Sequence, residues 1–289
     1  MATRDFDELS ITSAVIERFS DVPDPRLKTL LVSLVRHVHD FVREVELTEA
    51  EWFAAIDFLT RTGQACSDTR QEFILLSDTL GVSMLVDAIN HRQPVGVTET
   101  TVLGPFYVAN PPVQPNGADI ATGNEGPPLY VAGTVTAPDG KPLAGATVDV
   151  WHSDEDGLYD VQKPGAKAQL RARFTTDAQG RFAFWTIVPC FYPVPHDGPV
   201  GAMLKASRRH PYRPAHLHFM IAHPGFETLV THLFMEGDPY LDSDAVFGVK
   251  QSLIVRLTEE SGPAPGRQVE GTWHSLDHRF GLKPAASVP

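Results

Sequence analysis

Apolar positions recur at threes and fours through roughly the first 90 residues, the spacing of one helix face. In DPRLKTLLVSLVRHVHDFVREVE, the residues Leu27, Leu30, Leu31, Leu34, Val38, Phe41 and Val45 share that face. Asp24 before Pro25 predicts an N-cap and a first helical position, because proline has no N–H to leave unpaired there. The stretch TEAE pairs Thr48 with Glu51 as a capping box. It opens a second helix carrying Trp52, Phe53, Ile56 and Leu59, with Gly63 as its stop. A third helix is predicted over QEFILLSDTL, ending at Gly81.

Near residue 100 the pattern changes. NPPVQPNGADIATGNEGPP is a loop by its proline, glycine and asparagine content. Beyond it LYVAGTVT and ATVDVWHS alternate, with a turn at Asp139-Gly140. FTTDAQGRFAFWTI reads as a strand–turn–strand unit around Asp177 and Gly180, and AHLHFMIAHPGFETLVTHLFM as another turning at Pro224-Gly225. Closely spaced strands with tight turns predict an antiparallel sandwich or barrel. The expected class is α+β, with a helical region over residues 1–100 and an antiparallel β-sandwich over 101–289.

Charge and cysteine content narrow the function classes. The 24 Lys and Arg against 36 Asp and Glu leave a net charge of −12, with no basic run for a nucleic acid. The two cysteines, Cys66 and Cys190, suit a reducing cytoplasm rather than a disulfide framework. MATRDFDELS lacks the apolar centre of a signal peptide, and LLVSLV is far too short to span a membrane. A cytoplasmic protein without a membrane span is expected.

The candidate chemistry starts at RPAHLHFMI. In a strand, residues two apart point to one face, so His216 and His218 project together. Such a pair can bind a metal, or it can be two ordinary histidines in a chain with twelve. His196, His210 and His223 lie in loop-like segments and carry no such signal. Tyr159 in WHSDEDGLYDVQ and Tyr192 in IVPCFYPVPHDGP stand in polar or proline-rich segments at strand ends. Each can equally be a partly buried aromatic with a bonded hydroxyl.

Taken together, WHSDEDGLYDVQ, IVPCFYPVPHDGPVG, RPAHLHF and GDPYLDSDAVFGVK resemble the intradiol ring-cleavage dioxygenases. The resemblance runs along essentially the whole chain and is strongest to the hydroxyquinol-cleaving members. It implies an Fe(III) held by Tyr159, Tyr192, His216 and His218. It implies Arg213 and Tyr192 as catalytic groups, Arg213 lying beside the substrate ring and Tyr192 leaving the metal when substrate binds. The implied substrate contacts are Leu75, Asp78, Val102, Gly104, Pro105, Phe106, Val194, Pro195, Arg213 and Val246. His232 joins them, standing where catechol-type members commonly carry glutamine. Asp78 would accept the third hydroxyl of hydroxyquinol. The implied reaction opens an aromatic diol or triol with O2, giving 3-hydroxy-cis,cis-muconate and maleylacetate from hydroxyquinol. Members of the family are typically homodimers joined through their N-terminal helices, and some hold a phospholipid there. Two alternatives stay open: a catechol or chlorocatechol 1,2-dioxygenase, and a non-catalytic transthyretin-like module, which GTVTAPDGKPLAGATVDVW also resembles.

Overall fold

The computed structural model describes residues 4–67, 70–163, 165 and 168–286. It divides into two compact units, Met1–Arg61 and Thr62–Pro289.

The first unit holds α1 (Ile11–Glu17), α2 (Pro25–Glu44) and most of α3 (Glu49–Gln64). Asp24 caps α2 as expected. Its side chain accepts from the N–H groups of Arg26 and Leu27 at 2.8 and 3.2 Å. The Thr48–Glu51 box closes both ways: the Thr48 N–H donates to Glu51 Oε2 at 2.9 Å, and the Glu51 N–H to Thr48 Oγ1 at 3.3 Å. Gly63 is not the stop; α3 runs through it to Gln64. The apolar face of α2 forms, yet no residue of α2 is buried in the single chain.

The second unit begins with α4 (Glu72–Thr79) and α5 (Val82–Asn90), separated at Gly81. Among the described residues eleven strands follow: β1 (Pro128–Thr136), β2 (Thr147–Trp151), β3 (Arg171–Thr175), β4 (Arg181–Ile187), β5 (Tyr192–Pro193), β6 (Tyr212–Arg213), β7 (His216–Ala222), β8 (Leu229–Met235), β9 (Ile254–Val255), β10 (Thr258–Ser261) and β11 (Thr272–Gly281). One sheet runs β10-β11-β1-β4, a second β3-β2-β7-β8-β9, and β5 pairs with β6 alone. Val131, Val135, Phe182, Phe184 and Phe280 of the first sheet share one buried apolar cluster with Val148, Val150, Leu217, Phe219 and Ile221 of the second. The chain is therefore of mixed helix and sheet.

Three differences from the expectation stand out. The sheets are not wholly antiparallel, since β1 runs parallel to β11 and β8 parallel to β9. The Asp177–Gly180 turn forms, but β3 pairs with β2 while β4 pairs with β1. That turn joins the two sheets and closes no hairpin, whereas β7 and β8 do form one. A sixth helix, α6 (Pro199–Ala206), starts where only a loop was expected. No described helix is long and apolar enough to cross a membrane.

Candidate metal centre and ring cavity

The alternation of β7 delivers what its two histidines promised. His216 and His218 are both buried, with their Nε2 atoms 3.0 Å apart. His216 Nδ1 lies 2.7 Å from the Pro214 carbonyl, which accepts its proton and leaves the Nε2 lone pair facing the centre. His218 Nε2 lies 2.9 Å from Tyr159 Oη, and its ring stacks on Trp151 at 4.6 Å. Burial holds both imidazoles well below their ordinary pKa, so they are neutral donors near pH 7.

The tyrosines are held by polar contacts instead. Tyr159 precedes a single 3-10 turn, Asp160–Gln162, and its N–H donates to Gln162 Oε1 at 2.8 Å. Asp160 pairs with the buried Arg171 of β3, which also donates to the Phe106 carbonyl at 3.1 Å. The Phe106 ring then stacks on Tyr159, centroids 4.4 Å apart. Gly157 lets this turn approach Tyr192. Its φ is +77°, and a Cβ there would lie 2.9 Å from the Phe191 carbonyl and 3.0 Å from Tyr192 Cβ. Tyr192 pairs with Arg213 across β5 and β6. Burial first, and Tyr192 next, hold the Tyr159 phenol well above its usual pKa, so only a nearby cation makes it a phenolate.

These spacings fit a metal ion. Two donors at about 2.1 Å from one cation and at right angles lie about 3.0 Å apart. The His216–His218 and Tyr159–His218 separations of 3.0 and 2.9 Å match. Two phenolates are hard anionic donors suited to a ferric ion, and imidazole suits iron as well. His232 adds a third imidazole. It stands opposite His218 in the β7–β8 register, its ring 4.2 Å from that of His218 and 4.7 Å from that of His216. The three histidines form a group able to hold a metal ion. Register opposite His218 buries His232 completely beside the two histidines, and it is absent from the cavity wall.

The cavity next to the tyrosines measures about 210 Å³. An apolar cavity of about 150 Å³ accepts benzene, so this one takes a single substituted ring. Its wall contains Leu75, Asp78, Val102, Gly104, Pro105, Phe106, Val194, Pro195 and Val246, together with Tyr192 and Arg213. Arg70, Gln71, Glu72 and Ile74 also line it and were not anticipated. Glu72 is buried and accepts from the Val200 N–H at 3.1 Å, tying α4 to the start of α6. Asp78 is buried in the otherwise largely apolar wall, and its carboxyl is raised above the usual range by that burial. A larger, open cavity of about 610 Å³, around Arg92, Lys250 and Arg279, shares no lining residue with this one.

Arg213 is buried with Nη1 3.5 Å from Tyr192 Oη and 3.4 Å from His216 Nε2. Its Nε and Nη2 face Asp244 at 3.1 and 3.3 Å. Sequence reasoning missed Asp244, Trp151 and the Arg171–Asp160 pair. The available signals were that Asp160 directly follows Tyr159 and that Asp244 lies within GDPYLDSDAVFGVK.

A sequence family described as Dioxygenase matches residues 102–276, and one described as Catechol dioxygenase N terminus matches residues 24–98. The chain is 55% identical to the 6-chlorohydroxyquinol 1,2-dioxygenase of Cupriavidus pinatubonensis, covering 97% of this chain and 99% of that protein. It is 49% identical to the hydroxyquinol 1,2-dioxygenase of a Rhizobium species, covering 96% of each. The crystal structure of hydroxyquinol 1,2-dioxygenase from Pseudomonas putida superposes with a TM-score of 0.91 at 51% identity, covering 96% of this chain and 99% of that one.

Proposed function

The chain belongs to the intradiol ring-cleavage dioxygenase family, and on that premise we propose that it opens benzene-1,2,4-triol, hydroxyquinol, between its adjacent hydroxyl-bearing carbons. Both atoms of O2 enter the product, 3-hydroxy-cis,cis-muconate, which tautomerises to maleylacetate. The carrying observation is Asp78 in the wall of a one-ring cavity. Asp78 already accepts from the Ser83 hydroxyl, and a carboxylate has further acceptor sites for a third ring hydroxyl. The hydroxyquinol-cleaving relatives support the same reading, and the family match weighs against a non-catalytic binding module.

On this reading Tyr159, Tyr192, His216 and His218 hold Fe(III). Bound there, the ion supplies the Lewis acidity and electron acceptance that make the diol ring reactive toward O2. Tyr192 lines the cavity while Tyr159 is wholly buried. Tyr192 would therefore be the residue that meets the entering diol and takes up a proton at Oη, while Tyr159 would remain among the holding residues. Arg213 keeps a fixed positive charge beside the ring and stabilises negative charge spreading onto it. Leu75, Val102, Pro105, Phe106, Val194, Pro195 and Val246 exclude water, and Gly104 leaves room for the ring.

The proposal extends to assembly. Residues 101–289 form a sandwich-type catalytic region, supported by the core shared between the sheets. Residues 1–100 form the dimerisation region of a homodimer, supported by exposed Leu30, Leu34 and Phe41 on α2, with a phospholipid between the helices. The cytoplasm, with two free cysteines, is the proposed location.

Oxygen uptake and ring-opened product, measured with hydroxyquinol and catechol against enzyme-free controls, test the substrate. The specificity constant for hydroxyquinol should exceed that for catechol by at least ~10-fold. A preference for catechol or a chlorocatechol would move the assignment to that substrate while keeping the chemistry.

A further inference from the structure

The loop after β8 folds around one carboxylate. Asp244 Oδ1 accepts from the Val246 N–H at 3.2 Å, and Oδ2 accepts from the Gly248 N–H at 2.9 Å. The same two oxygens face the Nε and Nη2 edge of Arg213. Gly248 is packed against this pair. A Cβ built there would stand 2.8 Å from Arg213 Nη2 and 3.2 Å from Asp244 Oδ2. The loop is anchored from outside: the Ala245 N–H donates to the Tyr212 carbonyl at 3.0 Å, and Arg209 donates to the Ala245 carbonyl at 2.9 Å.

We propose that Asp244 and Gly248 are positioning residues for Arg213. Asp244 takes one edge of the guanidinium, and the missing side chain at 248 leaves the space that lets Nη1 face Tyr192 and His216. The inference rests on the reading of Arg213 as the cation beside the ring. Two consequences follow from the geometry. The guanidinium has one edge committed to Asp244 and presents Nη1 to the centre. The paired charge is also partly balanced, because an unpaired buried guanidinium is costly. Asp244→Asn would place an amide donor either against Arg213 Nε and the Val246 N–H or against Arg213 Nη2 and the Gly248 N–H, so one contact to the guanidinium edge must break in both orientations. Gly248→Ala deletes no polar group and pushes most on Arg213 Nη2 and less on Asp244 Oδ2.

Both variants are made in the full chain and loaded with iron. A misplacement of about 1 Å can cost about a hundredfold in rate. Turnover of hydroxyquinol per bound iron should therefore fall roughly 10- to 100-fold in each, with KM changed less than about threefold. Gly248→Ala should keep its iron content and Tm, which separates positioning from folding. Crystal structures of both should show the distance from Arg213 Nη1 to Tyr192 Oη changed by about half an ångström or more. An unmoved guanidinium in both variants overturns the inference. So does a moved guanidinium with unchanged turnover per iron, or a loss that vanishes after normalisation to iron content. A wild-type protein inactive on hydroxyquinol and catechol alike would remove the proposed reaction, and the crystallographic distances would still decide the positioning.

Discussion

His216 and His218 ride on a seven-residue strand near the middle of a five-stranded sheet, whereas Tyr159 and Tyr192 sit on a single 3-10 turn and a two-residue strand. The histidine half of the site is held by a regular ladder, with β2 on one side and β8 on the other. The tyrosine half is held by a few polar contacts: Arg171 with Asp160, Gln162 with the Tyr159 N–H, and the close approach at Gly157. One half inherits its precision from secondary structure. The other must build it from individual side chains, and its Tyr192 lines the cavity.

The largest effect should come from the ladder side. His218→Ala removes the donor between Tyr159 and His216. Bound iron, measured by metal analysis, should fall to background, and oxygen uptake should drop at least ~10³-fold. An iron-replete, active variant would end the donor assignment.

Arg171→Gln attacks the polar half. Breaking a buried ion pair costs about 3–5 kcal/mol, and losing an outer partner typically lowers metal affinity about 10- to 100-fold. Thermal unfolding should move down and the iron titration should weaken, with the β7–β8 ladder intact by amide exchange. Unchanged affinity would show that the tyrosines need no such clasp.

A smaller effect is expected at the cavity wall. Asp78→Asn should lower the ratio of hydroxyquinol to catechol specificity constants about tenfold, within the ~1–3 kcal/mol that one substituent contact supplies. A constant ratio would remove Asp78 as selector.

The smallest concerns His152, a buried neighbour of Trp151 that accepts from Thr186 Oγ1 at Nε2 and donates to the Ser153 carbonyl at Nδ1. Burial lowers its pKa from 6.5 to about 4. Because the folded value lies below the unfolded one, the unfolded chain binds the extra proton. Stability is lost as pH falls from the unfolded value toward the folded one, about 1 kcal/mol of it between roughly pH 6.5 and 5.5. Denaturant unfolding of the iron-loaded protein should show this slope, and His152→Asn should flatten it by that amount. Equal slopes would mean other groups carry the acid sensitivity.

The sequence by itself determined what depends on neighbours along the chain. Asp24, Thr48 and Glu51 announce their helices because a cap is satisfied within three residues. His216 and His218 announce a shared face because strand alternation needs only two. The tertiary structure alone decided what depends on distant partners. Tyr159 reaches His218 across 59 residues of sequence, and Arg213 reaches Asp244 across 31. The parallel pairing of β1 with β11 sets Leu129 opposite His274, 274 − 129 = 145 residues apart. The residue pattern changes near 100, yet α4 and α5 fall within the second unit, because Glu72, Leu75 and Asp78 are committed to the cavity and to α6. His232 shows the limit most plainly. Its residue type was visible in the sequence, but its place opposite His218 came from the β7–β8 register. Alternation shows which residues share a face, but the register that sets one strand's residues opposite another's is fixed only when the strands pair.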